Sequence, residues 1–458
     1  MPTLPRAPEL LAPAGSLQMM RTAFAYGADA VYAGQPRYSL RVRNNSFGKL
    51  EALAEGIAEA RAGGKAFYLV SNILPHNTKV RSFLADMEPV IALKPDALIM
   101  ADPGLIMMVR ERWPEVDVHL SVQANTTNYA AVRFWASVGI KRVILSRELS
   151  LDEIEDIRQT CPDMELEVFV HGALCVAYSG RCLLSGYFNH RDPNQGTCTN
   201  SCRWDYKAHE AQEDGSGDLH RCGTTAATGD TTADVAPGIA LGGGPRHAAG
   251  ERVFLLEEGT RPGQLMPIEE DEHGTYILNS KDLRAVEHIE RLVAIGVDSL
   301  KIEGRTKSPY YVARATQGYR RAIDDALAGR PFDTRLLGEL EGLANRGYTD
   351  GFYQRHHTPD HQNYLRGHSE SGRSLLVGEV LGIDASSGLA DVEVKNGFGL
   401  GDRLEFIQPH GNIIAVLEHL EDAERQPLAR IPGAGRRVRL PLPAGTRTDA
   451  PCFVARLL

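Results

Sequence analysis

At 458 residues, with 43% hydrophobic and 24% charged side chains, the chain has a globular composition and exceeds one ordinary domain, which excludes a disordered or fibrous protein. A net charge of −9 gives no global attraction for nucleic acid, so a nucleic-acid partner requires a local basic patch. The opening MPTLPRAPELLAPAG lacks the basic-then-apolar pattern of a secretory signal, and no run of about 18 apolar residues suggests a membrane span. The expected location is cytoplasmic, with no membrane partner.

The first 305 residues repeat one theme, a short apolar run followed by a longer helical stretch. Predicted strands are Glu9–Gly15, Ala30–Gly34, Ala66–Asn72, Ala97–Pro103, Val118–Ala124, Arg142–Glu148, Glu167–Ala173 and Ser299–Arg305. Nearly continuous apolar runs of this length suit parallel strands covered on both faces. Between them lie amphipathic segments such as Leu149–Gln159, where Ser150 and Glu153 have the spacing of a capping box. Eight such units predict an α/β fold, a (β/α)8 TIM-like barrel, over an open doubly wound sheet.

A large insertion follows the seventh strand. It begins with a cysteine-bearing loop, residues 174–204, and continues as a polar stretch rich in Gly, Ala and Thr, residues 207–250, expected to be a mobile loop. Order is expected to return at Val253–Glu257 and Thr275–Leu278 as a short hairpin. The barrel is assigned to residues 1–356 and a linker to 357–374. Residues 375–458 alternate in short runs broken by Gly, Asn, Asp and Pro, which predicts a small C-terminal antiparallel β-barrel domain of a kind found on enzymes that handle nucleic acid.

Four of the seven cysteines, Cys175, Cys182, Cys198 and Cys202, fall in the first part of the insertion with spacing C-x6-C-x15-C-x3-C. Four thiolates at the carboxyl end of a barrel strand predict a metal or an iron–sulfur cluster, and spacing alone leaves zinc and iron–sulfur open. Cys161, Cys222 and Cys452 are expected to be non-ligands.

The run EVFVHGALCVAYSGRCLLSGY, the opening ELLAPAGS with YGADAVYAGQPRYSLRVRNN, and the motif SLKIEGRTKSPYYV together resemble the U32 family, historically called collagenase-like peptidases. Within it, the chain resembles the prephenate-dependent tRNA uridine hydroxylases. The resemblance implies a 4Fe–4S cluster on Cys175, Cys182, Cys198 and Cys202. It also implies O2-independent hydroxylation of uridine 34 in the tRNA anticodon to 5-hydroxyuridine, the first step toward 5-carboxymethoxyuridine, with prephenate as co-substrate.

Prephenate is a dicarboxylate, so forked cationic donors are expected at the barrel mouth. Arg37, Arg41 and Arg43 follow strand two, Arg147 ends strand six, Arg181 lies in the cysteine loop, and Arg305 ends strand eight. Tyr38, Tyr178 and Tyr187 are candidates to stack on a base or on the prephenate ring, and Glu148, Glu303 and His171 to move protons. Arg436, Arg437 and Arg439 form the expected RNA-binding patch. Two alternatives accompany this reading, a U32-type peptidase and a non-catalytic iron–sulfur RNA-binding protein. The peptidase is weaker on the residues: neither H-E-x-x-H nor G-x-S-x-G occurs, and His171, four residues before Cys175, is the base it would draw on.

Overall fold

Short apolar strands buried on both faces pair in parallel, and with helical crossovers the sheet curls until its first and last strands meet. In the computed structural model the eight predicted strands are all present, as β1 (Glu9–Pro13), β2 (Ala30–Gly34), β3 (Ala66–Ser71), β4 (Ala97–Met100), β5 (Val118–Leu120), β6 (Arg142–Ile144), β7 (Glu165–Gly172) and β8 (Ser299–Ile302). Each pairs in parallel with the next, and β8 pairs with both β7 and β1, so the barrel is closed. The structure describes residues 6–35, 37–39, 46–173, 177–178, 181–182, 206–213, 219–221, 253–258, 265–271, 274–277, 282–343, 347–354, 374–384 and 386–458.

Helices cover the outside, started by the side chains that favour such positions. Ser16, Asp102, Asn128 and Ser308 each accept a backbone N–H of the first turn, and Ser150 with Glu153 forms the predicted capping box. The amphipathic helix Pro309–Leu327 closes the ring, with Tyr311, Tyr319 and Ile323 buried against the barrel.

The insertion carries more order than its composition suggested. Tyr206–Glu213 and Leu219–Arg221, in the stretch expected to be a loop, are strands. They join Val253–Glu258, Leu265–Asp271 and Gly274–Ile277 in a five-stranded antiparallel sheet. The two expected hairpin segments do not pair with each other, because Leu265–Asp271 lies between them. Asp282–Arg284 then adds antiparallel to the end of β7, and Tyr348–Thr349 pairs with it.

Residues from Ser374 onward form a second unit, a partly curled antiparallel β-sheet domain. Its strand order is Ile413–Val416, Arg403–Ile407, Cys452–Leu457, Ser374–Ile383, Ala390–Val394, Arg437–Leu440 and Glu421–Asp422. Register shifts along Ser374–Ile383 bend the sheet. It docks on the helical layer: Tyr26 donates to the carbonyls of Ile407 and Pro451 at 2.8 Å, and Gln317 donates to that of Gln408 at 2.7 Å. The guanidinium of Arg314 meets the Glu405 carboxylate through both nitrogens, and both side chains are buried. Among the described residues, no helix is long and apolar enough to cross a membrane.

Candidate active site

Side chains alternate between the two faces of a strand, so alternate residues of each barrel strand fill the bore. Here the bore is charged. Arg142 Nη1 bonds Glu9 at 2.6 Å and Glu167 at 3.3 Å, and its Nη2 lies 2.9 Å from Glu165. Lys301 Nζ bonds the other oxygen of Glu167 at 2.8 Å. Glu167 is fully buried and Lys301 nearly so, and a carboxylate there without a cation would carry a penalty of several kcal/mol. Burial pulls the Lys301 ammonium below its ordinary value, and the facing Glu167 opposes that shift. His119 packs edge-on to Tyr68, and burial together with Arg142 and Lys301 holds it neutral.

Two aromatic rings form the next level. Lys301 Nζ lies 4.4 Å from the Tyr32 ring centroid and 5.4 Å from that of Phe169. From above, the Arg147 guanidinium stacks 3.8 Å from the centre of Phe169, and that of Arg305 lies 5.7 Å from the centre of Tyr32. Arg147 also donates to the Ala173 carbonyl at 3.1 Å, and its Nη2 lies 3.9 Å from Glu303 Oε2. That carboxylate oxygen is 3.3 Å from the Tyr32 hydroxyl, which donates to the Ile302 carbonyl at 2.9 Å. Arg305 donates to Ser39 Oγ at 2.9 Å. Arg147, Glu303, Arg305 and Ser39 lie just beyond the carboxyl ends of β6, β8 and β2, the end of such a barrel where catalytic groups gather, with Tyr32 on β2 and Phe169 on β7 beneath them.

The structure therefore brings Arg147, Glu303 and Arg305 together. Glu148 accepts a hydrogen bond from Ser146 at the same strand end. Arg37 is half exposed and bonds Asp86 at 2.7 Å, while Tyr38 is buried with its hydroxyl on that same carboxylate at 2.5 Å. Both side chains thus anchor their loop to the helix Phe83–Ile91. His171 is turned toward the helix side, among the rings of Tyr311, Tyr319 and Tyr348, and burial pushes its pKa down to about 3. Arg41, Arg43 and Tyr187 lie outside the described residues, as do the side chains of Tyr178 and Arg181, whose backbones form a two-stranded ladder. Arg436 and Arg437 are exposed, whereas Arg439 is held by Asp384 and Asp391 at 3.1 and 3.0 Å. Their strand lies three strands along the sheet from Cys452–Leu457, which docks on the barrel.

The iron–sulfur expectation is corrected. Among the described residues, no group of three or more His, Cys, Asp or Glu side chains could hold a metal, so the 4Fe–4S and metal-binding assignments are not carried further. Cys175, Cys198, Cys202 and the side chain of Cys182 lie outside the described residues. Cys161 and Cys452 are buried free thiols.

Sequence reasoning missed Lys301, Glu167, Tyr32 and Phe169 beneath the mouth, and Asn72, Ser121 and Gln123 on its other side. The available signal was a charge inside an apolar run, as in ELEVFV and SLKI, since a charged residue in a parallel barrel strand must face a partner.

A closed (β/α)8 barrel with two arginines and a carboxylate gathered at its carboxyl-terminal mouth, joined to an antiparallel β-domain, has the architecture of a barrel enzyme. Residues 15–363 match the family model described as peptidase family U32, and residues 373–449 match that family's C-terminal domain. The chain belongs to peptidase family U32. It is 59% identical over 437 residues to the "tRNA hydroxylation protein P" of Escherichia coli (strain K12), covering 95% of this chain and 94% of that protein. The protein of the same name from Haemophilus influenzae is 57% identical over 95% of this chain and 93% of its own length. A protein named "Collagenase" from Porphyromonas gingivalis is more distant, 26% identical over 95% of this chain and 94% of its own.

Proposed function

We propose that this chain is a cytoplasmic tRNA hydroxylase that converts uridine 34 to 5-hydroxyuridine with prephenate as co-substrate. The observation that carries the reading is the 59% identity, through both domains, to a protein named for tRNA hydroxylation. The mouth fits that chemistry. Arg147 and Arg305 present forked donors to a dicarboxylate, and each is held in place by an aromatic ring and a hydrogen bond. Hydroxylation at ring position 5 replaces a C–H by a C–OH, a two-electron oxidation for which prephenate is the co-reactant, and the proton that leaves the ring needs a base. Glu303, between the Tyr32 hydroxyl and Arg147, is the carboxylate best placed for that.

The test is complementation of a strain lacking its own copy of the enzyme. Expression of this chain restores 5-hydroxyuridine, or its carboxymethoxy derivative, in digested tRNA, and the product disappears when prephenate synthesis is blocked. A tRNA pool without the oxygenated nucleoside despite good expression refutes the proposal. The family name and the "Collagenase" label favour a peptidase as the second reading. His171, the one base expected to serve it, is buried among three tyrosines and kept neutral.

A further inference from the structure

The barrel mouth has two chemically different halves. Charge collects at the ends of β6, β8 and β2. The ends of β3 and β5 carry neutral amides and hydroxyls instead. Tyr68 and His119 face the bore, so alternation turns Asn72 and Ser121 inward as well, at the rim. Their contact bears this out: Asn72 Nδ2 donates to Ser121 Oγ at 3.2 Å, across the intervening β4. The Ser121 hydroxyl passes its own proton on to Gln123 Oε1 at 3.4 Å. Gln123 lies in the single turn Val122–Ala124, and Asn125 ends that turn in a left-handed conformation, φ 50°. Asn125 Nδ2 donates back to the Gln123 carbonyl at 3.4 Å.

These bonds orient both amides. Gln123 has its oxygen occupied, which leaves Nε2 as the outward group, a donor. Asn125 commits one N–H of Nδ2 to the Gln123 carbonyl, which sets Oδ1 on the other side, an acceptor. Asn72 and Ser121 are buried while Gln123 and Asn125 are only partly so, which sets the fixed end of the relay inside and the reading end at the opening. The Thr126 carbonyl accepts from the Ser146 amide at 3.0 Å, which ties this turn to the residue before Arg147.

We infer that Gln123 and Asn125, oriented through Asn72 and Ser121, form a subsite that reads the edge of a pyrimidine bearing a 4-carbonyl beside a ring N–H, the uracil edge. A donor next to an acceptor complements that pair. Cytosine would instead set its exocyclic amine against Gln123 Nε2, two donors facing each other, and its bare ring nitrogen against Asn125 Oδ1, two acceptors. A side-chain amide free to turn over could satisfy either base, so the discrimination lies in the relay that prevents the turn. This inference rests on the hydroxylase reading for its substrate and divides the mouth into a charged half for the carboxylates and a neutral half for the base.

The experiment uses the purified full chain with two anticodon stem-loops, uridine or cytidine at the reactive position, and follows both binding and turnover. The parent protein prefers the uridine stem-loop in both. Gln123→Glu, which replaces the outward donor by an acceptor at constant shape, lowers kcat/KM on uridine by about ten- to a hundredfold and raises cytidine relative to uridine. Ser121→Ala releases the amide and lowers the uridine-to-cytidine ratio with a smaller loss on uridine, so the inference stays testable if the first variant fails to fold. A ratio within about twofold of the parent in both folded variants overturns the subsite. A parent that binds the two stem-loops equally also overturns it. A parent that discriminates them in binding but hydroxylates neither refutes the hydroxylase reading and leaves the subsite supported.

Discussion

Two arginines that sequence reasoning treats alike, Arg147 and Arg37, should respond very differently to substitution by alanine. Arg147 is 14% exposed, stacks on Phe169, donates to the Ala173 carbonyl and faces Glu303. On the proposed function, removing it leaves a carboxylate of the co-substrate without its partner, a loss of about 2–5 kcal/mol. At about 1.36 kcal/mol per tenfold, that is a fall in kcat/KM of roughly thirty- to several-thousandfold. The fold loses an arginine–aromatic contact and one hydrogen bond, together about 2–3 kcal/mol, so the variant should melt lower but remain folded at working temperature. Arg37 is 51% exposed, and its partner Asp86 is 28% exposed. A pair that wet contributes at most about 1 kcal/mol, so Arg37→Ala should keep kcat/KM within about threefold. The assay is the rate of 5-hydroxyuridine formation against prephenate concentration, with thermal melting alongside. The reasoning fails if Arg37→Ala loses as much activity as Arg147→Ala, or if Arg147→Ala turns over like the parent.

Three other outcomes follow from the geometry. Arg314 and Glu405 bury their charges at the contact between the two domains, so Glu405→Leu alone should cost about 3–5 kcal/mol in urea unfolding, and the double change Arg314→Met with Glu405→Leu much less; equal losses would deny the pairing. His171 falls from an ordinary value of 6.5 to about 3 on folding, so the unfolded chain binds the extra proton and stability drops as pH falls from about 6.5 toward 3. Relative to the parent, His171→Phe should gain about 2 kcal/mol on going from neutral pH to about pH 5, measured by denaturant unfolding at both values, and should retain hydroxylation; parallel pH profiles would contradict the buried neutral state. Gly172 has φ 99°, and a Cβ there would meet the Glu303 carbonyl at 2.5 Å and the Tyr311 hydroxyl at 2.9 Å. Gly172→Ala should therefore lower both stability and kcat by displacing Glu303, and a crystal structure with Glu303 unmoved and full activity would refute that coupling.

The barrel was legible because each strand carries its own signal: Ala30–Gly34 is an apolar run bounded by turns, and Ser150 with Glu153 marks a helix start within four residues. That Arg147, Glu303 and Arg305 come together was legible for the same reason, since the carboxyl ends of barrel strands face one mouth. The Arg37–Asp86 pair was not legible, because Asp86 comes from the helix after the next strand, β3, and no local pattern reports such a contact. The direction of His171 was not legible because the β7–β8 register shifts between Lys301 and Ile302, so strict alternation no longer tells which way the last residues of β7 point. The strand Tyr206–Glu213 was read as loop because YKAHEAQE alternates small and polar residues without an apolar face, and its pairing with Val253–Glu258 is a long-range property.

The charged bore fixes the rings beneath the mouth. An apolar bore would leave Tyr32 and Phe169 packed but free to slide, whereas Lys301 beneath both rings is fixed by Glu167, which is in turn held by Arg142. Arg142 is anchored on Glu9 and Glu165 at the opposite end of the barrel, so one chain of charge-assisted bonds runs from floor to mouth. Every member has a partner, and the low dielectric of the bore therefore strengthens the chain rather than penalising it. The rings that carry Arg147 and Arg305 inherit that fixed position, and preorganised cations of this kind hold an anionic ligand without reorganising when it arrives. A charge buried in a parallel strand, which local propensity marks as an anomaly, is on this view the part of the sequence that specifies the site.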